Sequence, residues 1–199
     1  MSRYSLEKIE AALGQPAAPS SDFDLNPNVN LPEGRVLRDA AVLIPIYEKR
    51  GELRLILTKR SSALKHHPGQ IAFPGGKRDE ADASLSDAAL REAHEEIGLP
   101  KHSATLLGNL ASHETVTGFQ VTPFIAHISQ PFTPTPEQGE VAEVFSVPFD
   151  HVLEPSNFAI QGRRWRGETR YYYTVPYGPY FIWGATARML RSLADQVAL

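Results

Sequence analysis

Residues 75–99 read GGKRDEADASLSDAALREAHEEIGL. Leu85, Ala88, Ala89, Leu90, Ala93 and Ile97 recur at three- and four-residue spacing, which predicts a helix that buries one stripe. Ser84 or Ser86 can cap its start, and Gly98 supplies a left-handed stop just past the last periodic position. On that helix Glu92, Glu95 and Glu96 stand three and four apart, on neighbouring ridges of one face. Nothing local favours this. Like charges at four-residue spacing repel by about 0.2–0.5 kcal/mol, and carboxylates in the last turn oppose the helix dipole by about 0.3–1 kcal/mol. Taken alone, REAHEEIGL describes a solvated acidic face. Hard divalent cations with oxygen ligands are the chemistry that turns such repulsion into coordination.

The glycine pair Gly75-Gly76, the acidic Asp82 six positions on, and the ending Arg91-Glu92-Ala93-x-Glu95-Glu96-x-Gly98-Leu99 together resemble the signature of the Nudix hydrolases. The resemblance implies a loop-helix-loop that holds catalytic Mg²⁺ or Mn²⁺ against a diphosphate. It also implies an α/β fold, the α/β/α sandwich with a mixed sheet between helices. Carried over position by position, it makes Glu92, Glu96 and Glu95 metal ligands, with the carbonyl of Gly75. Arg91 is expected to orient the glutamates by charge-assisted hydrogen bonds rather than touch substrate. Two departures stand out. Asp82 occupies a position where the family pattern has glutamate, and eight residues rather than seven separate it from Arg91.

Upstream, residues 57–76 read LTKRSSALKHHPGQIAFPGG. Lys59, Arg60, Lys65, His66 and His67 make this segment basic, and Gly69, Gly75 and Gly76 give a ligand room to approach backbone. Such a segment is ordinarily a solvated loop. Beside three clustered glutamates it suits a bound diphosphate, whose charge metals alone leave partly uncovered. The order Leu57-Thr58-x-Arg60-Ser61-x-x-Leu64-x-x-His67-x-Gly69-Gln70-x-Ala72-Phe73-Pro74-Gly75-Gly76 looks like the extra motif of the coenzyme A pyrophosphatase branch. That likeness implies Arg60, His67 and Gln70 as substrate-binding residues. It also implies cleavage of coenzyme A or a derivative into 3′,5′-ADP and (acyl-)4′-phosphopantetheine. Other substrates remain open, among them ADP-ribose, a dinucleotide polyphosphate or a nucleoside triphosphate, as does a sensor that binds nucleotides without cleaving them. Nudix enzymes often bring a further glutamate from outside the motif, and Glu140 in EVAEVFSVPF is the candidate here, against a plain surface glutamate before a strand. Glu95 and Glu140 are alternative general bases.

With 199 residues the chain is long enough for one domain with a real core. Twenty basic and 23 acidic residues give a formal net charge of -3, so no global field draws it to nucleic acid or an anionic membrane. Zero cysteines exclude disulfides and thiolate metal sites and fit a cytoplasmic protein. No apolar run approaches the roughly 18 residues of a membrane span. A homodimer is left open.

Residues 1–35 are read as an N-terminal helix and a proline-rich arm, and 36–199 as a single domain. Leu6, Ile9 and Leu13 predict a short helix ending at Gly14. Pro16, Pro19, Pro27 and Pro32 then predict an extended strap or partly mobile arm. RDAAVLIPIY (38–47) and ELRLILT (52–58) predict a hairpin, with Pro45 marking an edge or bulge. Strands are expected at 106–111 and 121–128, a short helix at 149–153, a hairpin turning at residues 166–168, and a last helix from about Gly184. His113, a loop histidine with no partner at metal-ligand spacing, is expected to be neither ligand nor base. Tyr171, Tyr172, Tyr173, Tyr180, Phe181 and Trp183 are expected to be core rather than a base-stacking surface.

Overall fold

In the computed structural model, which describes residues 3–165 and 167–198, the apolar run 38–49 is a central strand, not an edge. This strand, β2 (Arg38–Lys49), follows helix α1 (Leu6–Leu13) and the short β1 (Ser20–Ser21). It turns into β3 (Glu52–Arg60) through Arg50 and Gly51, whose φ values of 55° and 78° make the two-residue turn that suits a twisted hairpin. Then come β4 (Ile71–Ala72), β5 (Gly75–Lys77), helix α2 (Leu85–Ile97), β6 (Ala104–Asn109), β7 (His113–Glu114), β8 (Phe119–Ile128), β9 (Val141–Pro148) and α3 (Phe149–Leu153). A separate hairpin, β10 (Ala159–Trp165) with β11 (Glu168–Thr174), precedes α4 (Ala185–Val197). The expected turn of that hairpin includes Arg166, which lies outside the described residues.

The main sheet is mixed. β2 runs parallel to β8 and antiparallel to β3 and β5, while β9 covers the other edge of β3. Strand alternation sends Ala41, Leu43 and Ile56 to one face, where Ala88, Ala89, Ala93 and Ile97 of α2 pack on them. It sends Ala40, Ile44, Ile46, Leu55 and Leu57 to the other, against Ile9 of α1, Phe149 of α3 and Leu190 and Leu193 of α4. Helices therefore cover both faces of a mixed sheet, as the α/β/α expectation had it. Among the described residues no helix is long and apolar enough to cross a membrane.

Pro45 corrects the sequence expectation. It pairs with Ala126 of β8, deep in the sheet. On the opposite flank, pairing with β5 ends at Val42 and pairing with β3 begins at Ile46. Leu43 donates its N–H to Pro74 O at 2.9 Å on that flank. By strand alternation position 45 faces the same way, into the gap between the two ladders, so the missing N–H breaks no ladder bond.

The arm is a strap. β1 pairs in parallel with β7, Asn26 Nδ2 donates to Tyr171 O (2.9 Å), Tyr171 N–H donates to Asn26 Oδ1 (2.8 Å), and Arg188 holds Asp24 at 2.7 Å.

Candidate active site

The two glycines of β5 are required by what lies against them. A Cβ on Gly75 would sit 2.5 Å from the carbonyl oxygen of Ala41 and 2.6 Å from Val42 Cα. A Cβ on Gly76 would sit 2.5–2.8 Å from the carboxylate atoms of Glu92. The carboxylate of Glu92 is thus seated directly on the backbone of residue 76. Helix α2 brings it there with defined ends: Ser84 Oγ accepts from Asp87 N–H, and Gly98 closes the helix at φ 69°, ψ 21°.

Glu96, one turn on, is buried on the same side, 5% exposed, and accepts only a long bond from Gly75 N–H (3.4 Å). Its burial, then the charge of Glu92, push its pKa up to about 8, against the Gly75 N–H and the Arg60 charge. Burial likewise raises Glu92, against Arg91. Glu140, exposed and carried on the loop after β8, adds negative charge toward both. That loop runs along the end of α2, with Glu137 N–H donating to Glu96 O at 2.9 Å.

Arg91 organises the rest. Its Nε and Nη2 reach Asp82 Oδ1 and Oδ2 at 2.9 and 3.0 Å, its Nη1 reaches Glu92 Oε1 (3.0 Å) and Glu95 Oε2 (2.9 Å), and Nη2 also donates to Lys77 O. Asp82, 7% exposed, is held at a pKa of about 2 by this bidentate pair and by Asp79 N–H. The departure from the family pattern therefore leaves a carboxylate whose partner is the arginine. Glu95 differs from Glu92 and Glu96 in being exposed, although it shares Arg91 with Glu92.

A buried carboxylate, Glu96, beside the half-buried Glu92, with no cationic side chain hydrogen-bonded to Glu96 among the described residues, fits a hard divalent cation. No group of three or more histidine or acidic side chains among the described residues is already arranged to hold one. Arg91 draws Glu92 Oε1 and Glu95 Oε2 to itself, so a third carboxylate ligand requires side-chain rotation.

Of the basic lead-in, Arg60 lies between the two parts of the site. Its Nε is buried with no hydrogen-bond partner, and its charge bears on both Glu96 and His67. Its backbone closes the loop, Arg60 N–H donating to Gln70 O (2.9 Å), while Ser61 N–H donates to Glu140 O (2.7 Å). His67 has φ 54°, strained for a residue with a side chain. Desolvation, then Arg60 and His66, lower its pKa, against the Asp22 carboxylate. His67 and Gln70 line a cavity of about 250 Å³ together with Arg170, Tyr172 and Trp183. A larger cavity, about 650 Å³, lies between Tyr47, Ile56, Phe132 and Val144, and none of the residues just described lines it.

His113 is neither exposed nor near the glutamates. Fully buried, it bonds Ser20 Oγ through Nδ1 (2.9 Å) and Asp22 Oδ1 through Nε2 (3.2 Å), clamping the strap to the sheet edge. Tyr180 stacks on Phe145 and donates to Glu143. Arg170 had no signal of its own in RRWRGETR, since nothing local marks which arginine of a hairpin turns inward.

Comparison with known proteins agrees with this geometry. The NUDIX domain family model matches residues 37–166. A protein of Enterobacter sp. (strain 638) named "Uncharacterized Nudix hydrolase NudL" is 43% identical over 162 residues, covering 81% of this chain and 84% of its own. A protein of the same name from Citrobacter koseri is 42% identical over 177 residues, covering 88% and 90%. Among solved structures, the M. smegmatis Nudix hydrolase RenU superposes with a TM-score of 0.50 at 28% identity, over 61% of this chain and 83% of that one. A MutT/nudix family protein from Enterococcus faecalis reaches 0.51 at 16% identity, over 85% and 63%, a likeness of fold.

Proposed function

The chain belongs to the Nudix family, and from that premise we propose that it is a divalent-metal-dependent pyrophosphatase of coenzyme A or its derivatives. It releases 3′,5′-ADP and (acyl-)4′-phosphopantetheine. The observation that carries this is the lead-in 57–76, with its full motif order, running straight into the glycine pair on which Glu92 sits. Residues 36–199 are the catalytic unit, and the arm of residues 1–35 is laid on it. A cytoplasmic location is part of this proposal.

Glu92 and Glu96, with Glu95 released from Arg91 and the Gly75 carbonyl, are the ligands we assign to Mg²⁺ or Mn²⁺. Bound there, the ion supplies Lewis-acid polarisation of the diphosphate and a more acidic water. Either Glu95 or Glu140 takes the proton of the attacking water. Water oxygen bonds to one phosphorus as the bridging P–O bond breaks, and the leaving phosphate carries the electron pair away. Arg60, unpaired at Nε, covers diphosphate charge. Arg91, anchored on Asp82, holds Glu92 in place. His67 and Gln70 position the substrate's nucleoside side.

The test is a panel of coenzyme A, acetyl-coenzyme A, ADP-ribose and ATP with Mg²⁺ or Mn²⁺, products identified by mass. Release of 3′,5′-ADP supports the assignment. Cleavage of ADP-ribose or ATP alone discards it and keeps the family chemistry.

A further inference from the structure

We infer that the cavity of about 250 Å³ beside the diphosphate site receives the nucleoside end of the substrate, with Arg170 donating to a phosphate monoester on the ribose; this rests on the coenzyme A assignment above. The cavity is walled by segments far apart in the chain: the strap with Asp22 and Asn26, His67 and Gln70 of the lead-in, the turn 115–117, Arg170 and Tyr172 of β11, and Trp183 before α4; the Asp22 carboxylate is taken up by His113 and by Val116 N–H. Its volume suits one base with an adjoining phosphate, not a whole coenzyme.

Four features point to an anion joined to a flat ring. Arg170 Nε is buried with no hydrogen-bond partner, a cost that a bound phosphate would remove. Arg163 stands directly opposite Arg170 across the hairpin, and like charges so placed repel unless an anion lies between them. Gly184 and Ala185 also line the cavity, where α4 starts with no side-chain cap and leaves first-turn N–H groups for an acceptor. Tyr172 and Trp183 meet edge to face at 5.1 Å and 60°, an arrangement that leaves ring surface for a base. The link to the diphosphate is Arg60, whose N–H donates at 2.9 Å to the carbonyl oxygen of the cavity-lining Gln70, while the next residue's N–H donates to Glu140 O.

The experiment measures binding of 3′,5′-ADP and 5′-AMP by calorimetry to the parent, Arg170→Gln and Arg170→Lys, with melting midpoints alongside. The parent is expected to prefer 3′,5′-ADP by about tenfold or more, as a charge-assisted contact implies. Arg170→Gln is expected to bring the two within about twofold, and Arg170→Lys to keep part of the preference. No preference in the parent, or an undiminished one in a folded Arg170→Gln, overturns the inference. Should Arg170→Gln not fold, a Trp165→Phe protein leaves Trp183 as the sole tryptophan. Its fluorescence must then respond to 3′,5′-ADP, and a silent titration overturns the subsite. A parent that discriminates between the nucleotides yet releases nothing from coenzyme A keeps the subsite and sinks the substrate assignment. One that cleaves coenzyme A without discriminating sinks the subsite alone.

Discussion

Gly76→Ala should separate catalysis from folding. The added methyl falls 2.5 Å from Glu92 Oε1 and 2.6 Å from its Cδ. Reaching the 3.4 Å of ordinary contact requires the carboxylate to retreat by about 0.9 Å. Glu92 is the far end of a flexible side chain, so retreat is cheap and the fold should survive. Misplacing a catalytic group by about 1 Å costs on the order of 100-fold in rate. The variant should therefore show kcat reduced by roughly two orders of magnitude, weaker Mn²⁺ activation, and a melting midpoint within a few degrees of the parent. Gly75→Ala is the control of opposite kind, because its methyl meets the backbone of Ala41 and Val42, which cannot yield, at a φ of 156° that side chains rarely adopt. It should fail in folding. The assays are steady-state release of 3′,5′-ADP over a Mn²⁺ titration, and thermal melting. A folded Gly76→Ala with kcat within threefold of the parent and unchanged metal dependence would refute the seating of Glu92 as a functional feature.

His113→Ala removes a buried ring and takes away the partner of Ser20 Oγ and of Asp22 Oδ1, so it should cost about 2–4 kcal/mol in urea denaturation and expose residues 15–34 to protease; unchanged stability and cleavage would contradict the clamp. Asp82 has its pKa depressed to about 2 by Arg91, so its contribution to stability is full above the ordinary carboxylate range near pH 4 and fades as the pH falls toward 2. In metal-free protein Asp82→Asn should flatten that part of the stability–pH curve, and an identical slope in parent and variant would contradict it. Mn²⁺ at about 100 times its Kd should add about 2.7 kcal/mol to stability, reversed by chelator and lost in a Glu92→Gln/Glu96→Gln double variant. A metal response retained by the double variant would relocate the binding site.

The elements set by local rules were legible in the sequence. Ser84 and Gly98 bound α2 as their cap chemistry implied, and Leu190 and Leu193 face the core of α4 as periodicity required. Features that arise from distant segments were not. Pro45 carried an edge signal because local propensity cannot see two ladders handing over beside it. His113 acquired its partners from residues more than 90 positions away, and the strap became part of the sheet only through that contact. At the candidate site, the type and spacing of Glu92, Glu95 and Glu96 were readable. The i,i+4 spacing already pairs Arg91 with Glu95, but that Glu96 is the buried one depends on how α2 rotates onto the sheet, which spacing alone leaves undetermined. The cavity around Arg170 joins five stretches of chain and has no local signature.

Everything proposed for catalysis depends on Glu96, buried against Gly75, as a ligand of the metal. The most direct measurement is release of 3′,5′-ADP from coenzyme A by the parent and by Glu96→Gln, over a Mn²⁺ and Mg²⁺ titration, with melting midpoints recorded for both. The parent should depend strictly on metal, and a folded Glu96→Gln should lose roughly 100-fold or more. A folded variant within a few-fold of the parent would contradict it.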